Sequence, residues 1–115
     1  MLVKWDLNDE LASTFTSETT KAIIDFFDPS ILESFCSMNI PETFDFKLFA
    51  GFMDANPGID FFLQFARPLS AEYTKMLQDY VDDFIESGSC NLRKIMIIFP
   101  NQTEESREML EEFFF

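Results

Sequence analysis

Histidine is missing from this chain of 115 residues, glycine occurs three times and cysteine twice. Each scarcity closes off some chemistry. Without His, no side chain titrates near neutrality at its ordinary pKa, and the commonest general base and metal ligand is gone. Three glycines cannot build a phosphate-cradling loop, and no Ser stands in a Gly-x-Ser-x-Gly elbow. Cys36 and Cys90 sit in dissimilar contexts, with no base beside either and no disulfide framework. Carboxylate pairs can run acid–base chemistry unaided, as in glycosidases. In a chain with 21 Asp and Glu, however, some pair always lies close. The sequence predicts a non-enzyme without a cofactor.

Bases are scarce too: Lys and Arg total 8, so the net charge is −13. Acids outnumber bases in both halves of the chain, so no acidic tail accounts for the imbalance and the folded body itself is predicted to be negative. Such a field repels nucleic acid and anionic membranes, and it speeds encounters with basic proteins. A halophile surface is the rival explanation, but the Phe content does not fit adaptation by surface charge alone. Long apolar runs are also lacking. No stretch reaches the ~20 residues that a membrane span needs, and the opening MLVKWDLNDE has no signal-peptide core. These features predict a cytosolic protein with both cysteines reduced and buried, in which the NQT triplet at 101–103 is a chance sequon.

What the chain does have is apolar bulk. Hydrophobic residues make up 47% and Phe alone occurs 16 times. That is enough for one hydrophobic core, and residues 1–115 read as a single domain. Residues 2–7 alternate weakly, as a short strand would. Asn8 could cap a brief turn carrying Leu11 and Phe15. A helix follows Ser17 through Ala22, Ile23, Phe26 and Phe27. Asp28-Pro29 is a good cap and first-turn pair for another helical piece with Ile31, Leu32, Phe35 and Met38.

The middle is ambiguous. Phe44, Phe46, Leu48, Ala50 and Phe52 alternate, as do Ile59, Phe61, Leu63 and Phe65, and DANPG between them suggests an antiparallel pair. Phe44, Leu48, Phe49, Phe52 and Met53 fit a helix as well. Phe content and Gly51 favour strands. The last third is clearer. Ser70 caps a helix with Tyr73, Met76, Leu77, Tyr80, Val81, Phe84 and Ile85 inward, and Gly88 stops it. LRKIMIIFP is a buried strand. Asn101 and Glu104 open a final helix burying Met109, Leu110, Phe113 and Phe114. The order predicts a small α+β domain, compatible with a ferredoxin-like β-α-β-β-α-β sheet plus a C-terminal helix. The alternative is a mostly α domain in which residues 2–6 pair with 94–98.

Two constellations carry polar chemistry. Asp54, Asn56 and Asp60 in DANPGID resemble a calcium loop superficially. The sixth position lacks Gly and the twelfth is Phe65 instead of Glu, so a structural turn is the better reading. The second constellation is a pair of acidic rows. Glu72, Asp79, Asp82, Asp83 and Glu86 fall on one side of the Ser70 helix, opposite its apolar stripe. Glu104, Glu105, Glu108, Glu111 and Glu112 repeat the pattern on the last helix. Solvated helix faces usually interleave Lys with Glu, and helix C-termini favour cations. Here only Lys75 and Arg107 interrupt. Two helices making the same unfavourable local choice point to a purpose outside folding.

That purpose is read as binding. The ten carboxylates are the predicted contact residues for a basic protein, for which they imitate a nucleic acid's phosphates. Tyr73, Tyr80 and Trp5 could anchor such a contact, although core packing is their ordinary role. The predicted function is a small acidic inhibitor, of the immunity-protein or anti-defence kind, blocking a nucleic-acid-binding protein. The alternative is an acidic chaperone or assembly adaptor with an exposed Phe surface around residues 44–65.

Overall fold

The computed structural model of the chain describes residues 2–6, 10 and 14–115. Four strands alternate with helices. Strand β1 is Leu2–Asp6, followed by helix α1 (Ser17–Phe26), β2 (Ser34–Ile40), α2 (Phe46–Ala55), β3 (Asp60–Phe65) and α3 (Ala71–Glu86). A 3-10 turn at Ser89–Asn91, strand β4 (Ile95–Ile98) and helix α4 (Glu104–Phe114) complete the described chain. The sheet order is β1-β2-β3-β4 and every neighbouring pair is parallel. The protein is a small α+β domain.

Within that class the topology is not ferredoxin-like, and the alternative pairing of 2–6 with 94–98 does not occur, because β1 and β4 form opposite edges. Two local readings explain the difference. Residues 46–55 form a helix, capped by Asp45, whose carboxylate accepts from the Leu48 N–H at 3.1 Å. A helix between two strands is a crossover, so β2 and β3 run parallel where a hairpin would make them antiparallel. Residues 34–40 form a strand and not the helical piece expected after Asp28-Pro29. The Asp28 carboxylate closes a local turn on the Ser30 N–H and hydroxyl. The expected Asn8 turn with Leu11 lies outside the described residues, whereas Phe15 is buried.

Alternation along the strands assigns the two faces. Phe35, Phe61, Leu63 and Phe65 point to one side and are buried. Phe35 meets Phe27 after α1 and Phe49 of α2; Phe61 meets Phe49 and Phe52; Phe65 meets Phe46 of α2 and Tyr73 of α3. The three crossover helices therefore share one face of the sheet, as successive right-handed connections between adjacent strands require. Offset and edge-on rings at these spacings add to the area they bury.

The other face explains why β1, β2 and β3 alternate while β4 does not. Lys4 and Asp6 are exposed there, and Ser34, Cys36, Asp60 and Gln64 are half-buried. At the β4 edge α4 crosses to this side, and its Phe114 ring meets Phe62 at 5.8 Å. Met96 is fully buried as a result, and IMII reads as a continuous apolar run.

Candidate protein-docking face

Helix α3 ends as its sequence indicates. Ser70 accepts from the Tyr73 N–H at 3.1 Å at the start, and Gly88 takes the left-handed conformation (φ 78°) after the last turn. The cap of α4 is Thr103, two residues beyond the Asn101 expected from sequence; its hydroxyl accepts from the Ser106 N–H. Asn101 itself sits in a left-handed turn (φ 66°) that redirects the chain from β4.

One residue joins the two acidic helices. Gln78 of α3 donates to Thr103 Oγ1 at 3.2 Å and to Ser106 Oγ at 3.1 Å, while its carbonyl accepts from the Thr103 N–H. The same amide group donates to Asp82 at 2.9 Å. Ser106 is buried, so α4 is held against α3 by polar bonds at one end, while Leu110 and Phe114 reach the sheet. Nothing in the charge pattern singled out Gln78. The signal available was a polar residue midway between the apolar and acidic stripes of α3.

The ten predicted contact residues stay on the outside. Glu72, Asp79, Asp83 and Glu86 are exposed on α3, and Glu104, Glu105, Glu108 and Glu112 on α4; Asp82 and Glu111 are half-buried. They form a ridge-and-groove surface and not a single line. Asp82, Glu86 and Glu105 line a hollow of about 200 Å³ between the helices, with Ile85 and Met109 among its apolar walls. Glu104, Glu108 and Glu111 flank a second hollow with Gln102 and Arg107. Asp79 lies beside Gln78, Asn101 and Thr103 at the N-terminal side of α4. Asp83 faces the opposite flank, toward α2.

The two interrupting bases do not neutralise this surface. Lys75 is bound to Asp79 at 2.7 Å and Arg107 to Glu111 at 3.2 Å, each one turn along its own helix. The hydrogen bond to Asp79 and that carboxylate's charge raise the Lys75 pKa, keeping its proton in place. The helices together carry ten carboxylates against these two bases, and neither has a base in its last turn. Exposed pairs of this kind contribute little to stability.

The aromatic anchors face inward. The Tyr73 hydroxyl donates to the Phe44 carbonyl at 2.7 Å, and Tyr80 donates to Asp54 at 2.9 Å. Trp5 packs on Phe27 and Phe35. Burial foremost, aided for Tyr80 by its bond to Asp54, lifts both phenols well above their ordinary value, so they act as fixed donors. The expected Phe surface around 44–65 is not on the outside: Phe44, Phe46, Phe49, Phe61 and Phe65 are buried, and Phe52 and Phe62 are partly so. The exposed rings are Phe26, Phe113 and Phe115, so Phe113, expected inward, is a surface residue together with Met109. The DANPGID stretch spans a helix end, a turn and a strand start. Asn56 caps α2, donating its side-chain amide to the Phe52 carbonyl at 2.8 Å. Among the described residues no three Cys, Asp or Glu come together as a metal-binding group.

No protein-family model matches the chain, and neither a curated protein nor a solved structure matches it. Among the described residues no helix is long and apolar enough to cross a membrane.

Proposed function

We propose that this protein is a small, non-enzymatic inhibitor that occupies the nucleic-acid-binding surface of a basic protein. The observation that supports it most is the joining of α3 and α4 through Gln78, with Asp82 and Glu86 of one acidic row and Glu105 of the other around a common hollow. Carboxylates spread over neighbouring helix ridges offer a partner's Arg and Lys the spaced acceptors that phosphates would otherwise supply. A body charge of −13 steers the encounter and disfavours nucleic acid itself as the ligand. The inhibitor is a cytosolic one in this reading, acting where Cys36 and Cys90 stay reduced.

The test is competition. Basic nucleases and nucleic-acid-binding domains, each loaded with a fluorescent oligonucleotide, are titrated with the protein at low and high salt. The proposal expects at least one oligonucleotide to be displaced stoichiometrically at low salt. It expects that displacement to weaken steeply as salt rises and to fail when the α3 and α4 carboxylates become amides. Displacement by the amide form as strong as by the native chain would reject it.

A further inference from the structure

The two edges of the sheet are not alike. At β4 the outward backbone groups belong to Ile95 and Ile97, because the Lys94 carbonyl accepts from the Phe61 N–H and strand residues alternate in direction. The Gln102 side chain donates to the Ile97 carbonyl at 2.9 Å, so this short edge is partly closed. The same alternation can be followed to β1. The Glu33 carbonyl accepts from the Asp60 N–H, so Ser34, Cys36 and Met38 aim their backbone groups at β1. Val3 and Trp5 meet them, and the N–H and C=O groups of Leu2, Lys4 and Asp6 point away from the sheet. Among the described residues nothing bonds to that outer side.

An open edge is a template for another strand, and a lone Lys is a common guard against it. Here the guard is matched: Asp6 follows Lys4 by two residues, and both are exposed on the same face. Opposite charges directly across an antiparallel pair stabilise it, and like charges destabilise it. Pairing two copies of β1 with Lys4 at the centre opposes the two cations, and centring on Val3 leaves Asp6 unmatched. Centring on Trp5 sets each Lys4 opposite the partner's Asp6, twice by symmetry. Leu2 and Val3 then lie opposite positions 8 and 7, which are outside the described residues. The two Trp5 side chains meet at a non-hydrogen-bonded position, where side chains approach most closely. Apolar surface collects at the same edge. Leu2 is 70% exposed and Phe26 77%, and the Phe26 ring stands edge-on to Phe27, which packs on Trp5.

We infer that the protein forms a two-fold dimer through antiparallel pairing of β1 with β1 of a second copy, in the register centred on Trp5. The pairing joins two four-stranded sheets into one of eight strands and does not depend on the inhibitor reading. It leaves the acidic helices free, because α4 lies at the β4 edge, opposite β1. The dimer then presents two acidic faces at its far ends. Two bodies of net charge −13 repel at a distance, whereas β1, with one Lys and one Asp, is a neutral stretch on which they can meet. Salt screens the long-range repulsion more than it weakens contacts at hydrogen-bond distance. Dimerisation therefore strengthens as salt rises, the reverse of binding to a basic partner.

The test is sedimentation equilibrium of the full chain at low and high salt, with the emission of Trp5, the one tryptophan, read alongside. A doubling of mass with concentration is expected, favoured by salt, with a shift in Trp emission over the same concentrations. Lys4→Glu opposes acid to acid and Asp6→Lys opposes base to base, so each should raise the dimer Kd about tenfold. For Asp6→Lys that loss comes although the body becomes less negative, which separates register from total charge. Mixing the two variants should restore association as a heterodimer, and Lys4→Asp with Asp6→Lys in one chain should restore the homodimer. Recovery on mixing also shows that both single variants fold. A native chain that stays monomeric at high salt, native-like association of either single variant, or no recovery on mixing would overturn the assignment. The inhibitor reading is scored separately, by oligonucleotide displacement.

Discussion

Gln78 on α3 and Ser106 on α4 are joined by a 3.1 Å hydrogen bond across an otherwise acidic helix pair. The amide also holds the cap of α4 at Thr103 and steadies Asp82. Gln78→Ala removes the bonds between the helices, but the buried Ser106 hydroxyl keeps its bonds to Thr103 and the exposed Thr103 N–H can turn to water, so the loss is that of ordinary hydrogen bonds, about 0.5–1.5 kcal/mol. Urea unfolding should show that loss, and hydrogen exchange should rise first in the N-terminal turn of α4. Exchange rising uniformly along the chain would argue against a local bolt.

The acids at the end of α3 oppose the helix that carries them. Asp83 and Glu86 lie in its last turns, where no base is present. Asp83→Asn and Glu86→Gln should each stabilise the fold by about 0.3–1 kcal/mol at low salt. The gain should shrink in 1 M salt, where the Debye length is about 3 Å. Thermal melts at two ionic strengths measure it, and destabilisation by both changes would show the acids to be structural.

Phe49 is fully buried among the rings of Phe35, Phe44, Phe52 and Phe61, with centroids 5.3–5.7 Å away. Phe49→Ala should cost about 3–5 kcal/mol, while Leu48→Ala, at an exposed neighbour, should cost far less. A strand over 44–52 would reverse those two results, since Leu48 would then face the core and Phe49 would not.

That segment shows where the sequence was legible. β4 was readable as an uninterrupted apolar run, and α3 and α4 because each keeps apolar residues three and four apart, with Gly88 to stop α3. Residues 44–53 satisfy both periods, since Phe occupies nearly every position that either pattern would bury. The length and Asp45 cap of a crossover decided for helix. β2 was hidden for a different reason. Ile31, Leu32, Phe35 and Met38 are spaced three and four apart, while Ser37, a polar residue, takes an inward position and is buried. The acidic rows could be read from spacing alone because helix geometry fixes which residues share a side. Their contact through Gln78 could not, since it depends on how α4 leaves β4.

Glu42 accepts a hydrogen bond from the Ser70 N–H, which ties the loop after β2 to the start of α3. That backbone bond, with the Ser70 hydroxyl second, holds its carboxyl below the ordinary value of 4.5. A depressed acid adds stability that is complete above the unfolded-state value and is lost as pH falls through the folded-state one. Glu42→Gln should therefore melt below the native protein at pH 7, and the gap should close as pH is taken below 4.5. A gap that stays constant with pH would remove the ionised carboxylate from the account.

The most direct test is a charge-matched comparison in native lysate. One variant replaces the α3 and α4 carboxylates by amides. Another removes comparable charge elsewhere, from exposed Asp6, Glu18, Asp25 and Glu33 and half-buried Asp60, with surface Lys added to equalise net charge. The account predicts that the native chain and the second variant each capture the same basic nucleic-acid-binding protein, released by salt, and that the first variant captures none. Equal capture by both variants, or equal loss in both, would show that total charge and not the helix pair governs binding.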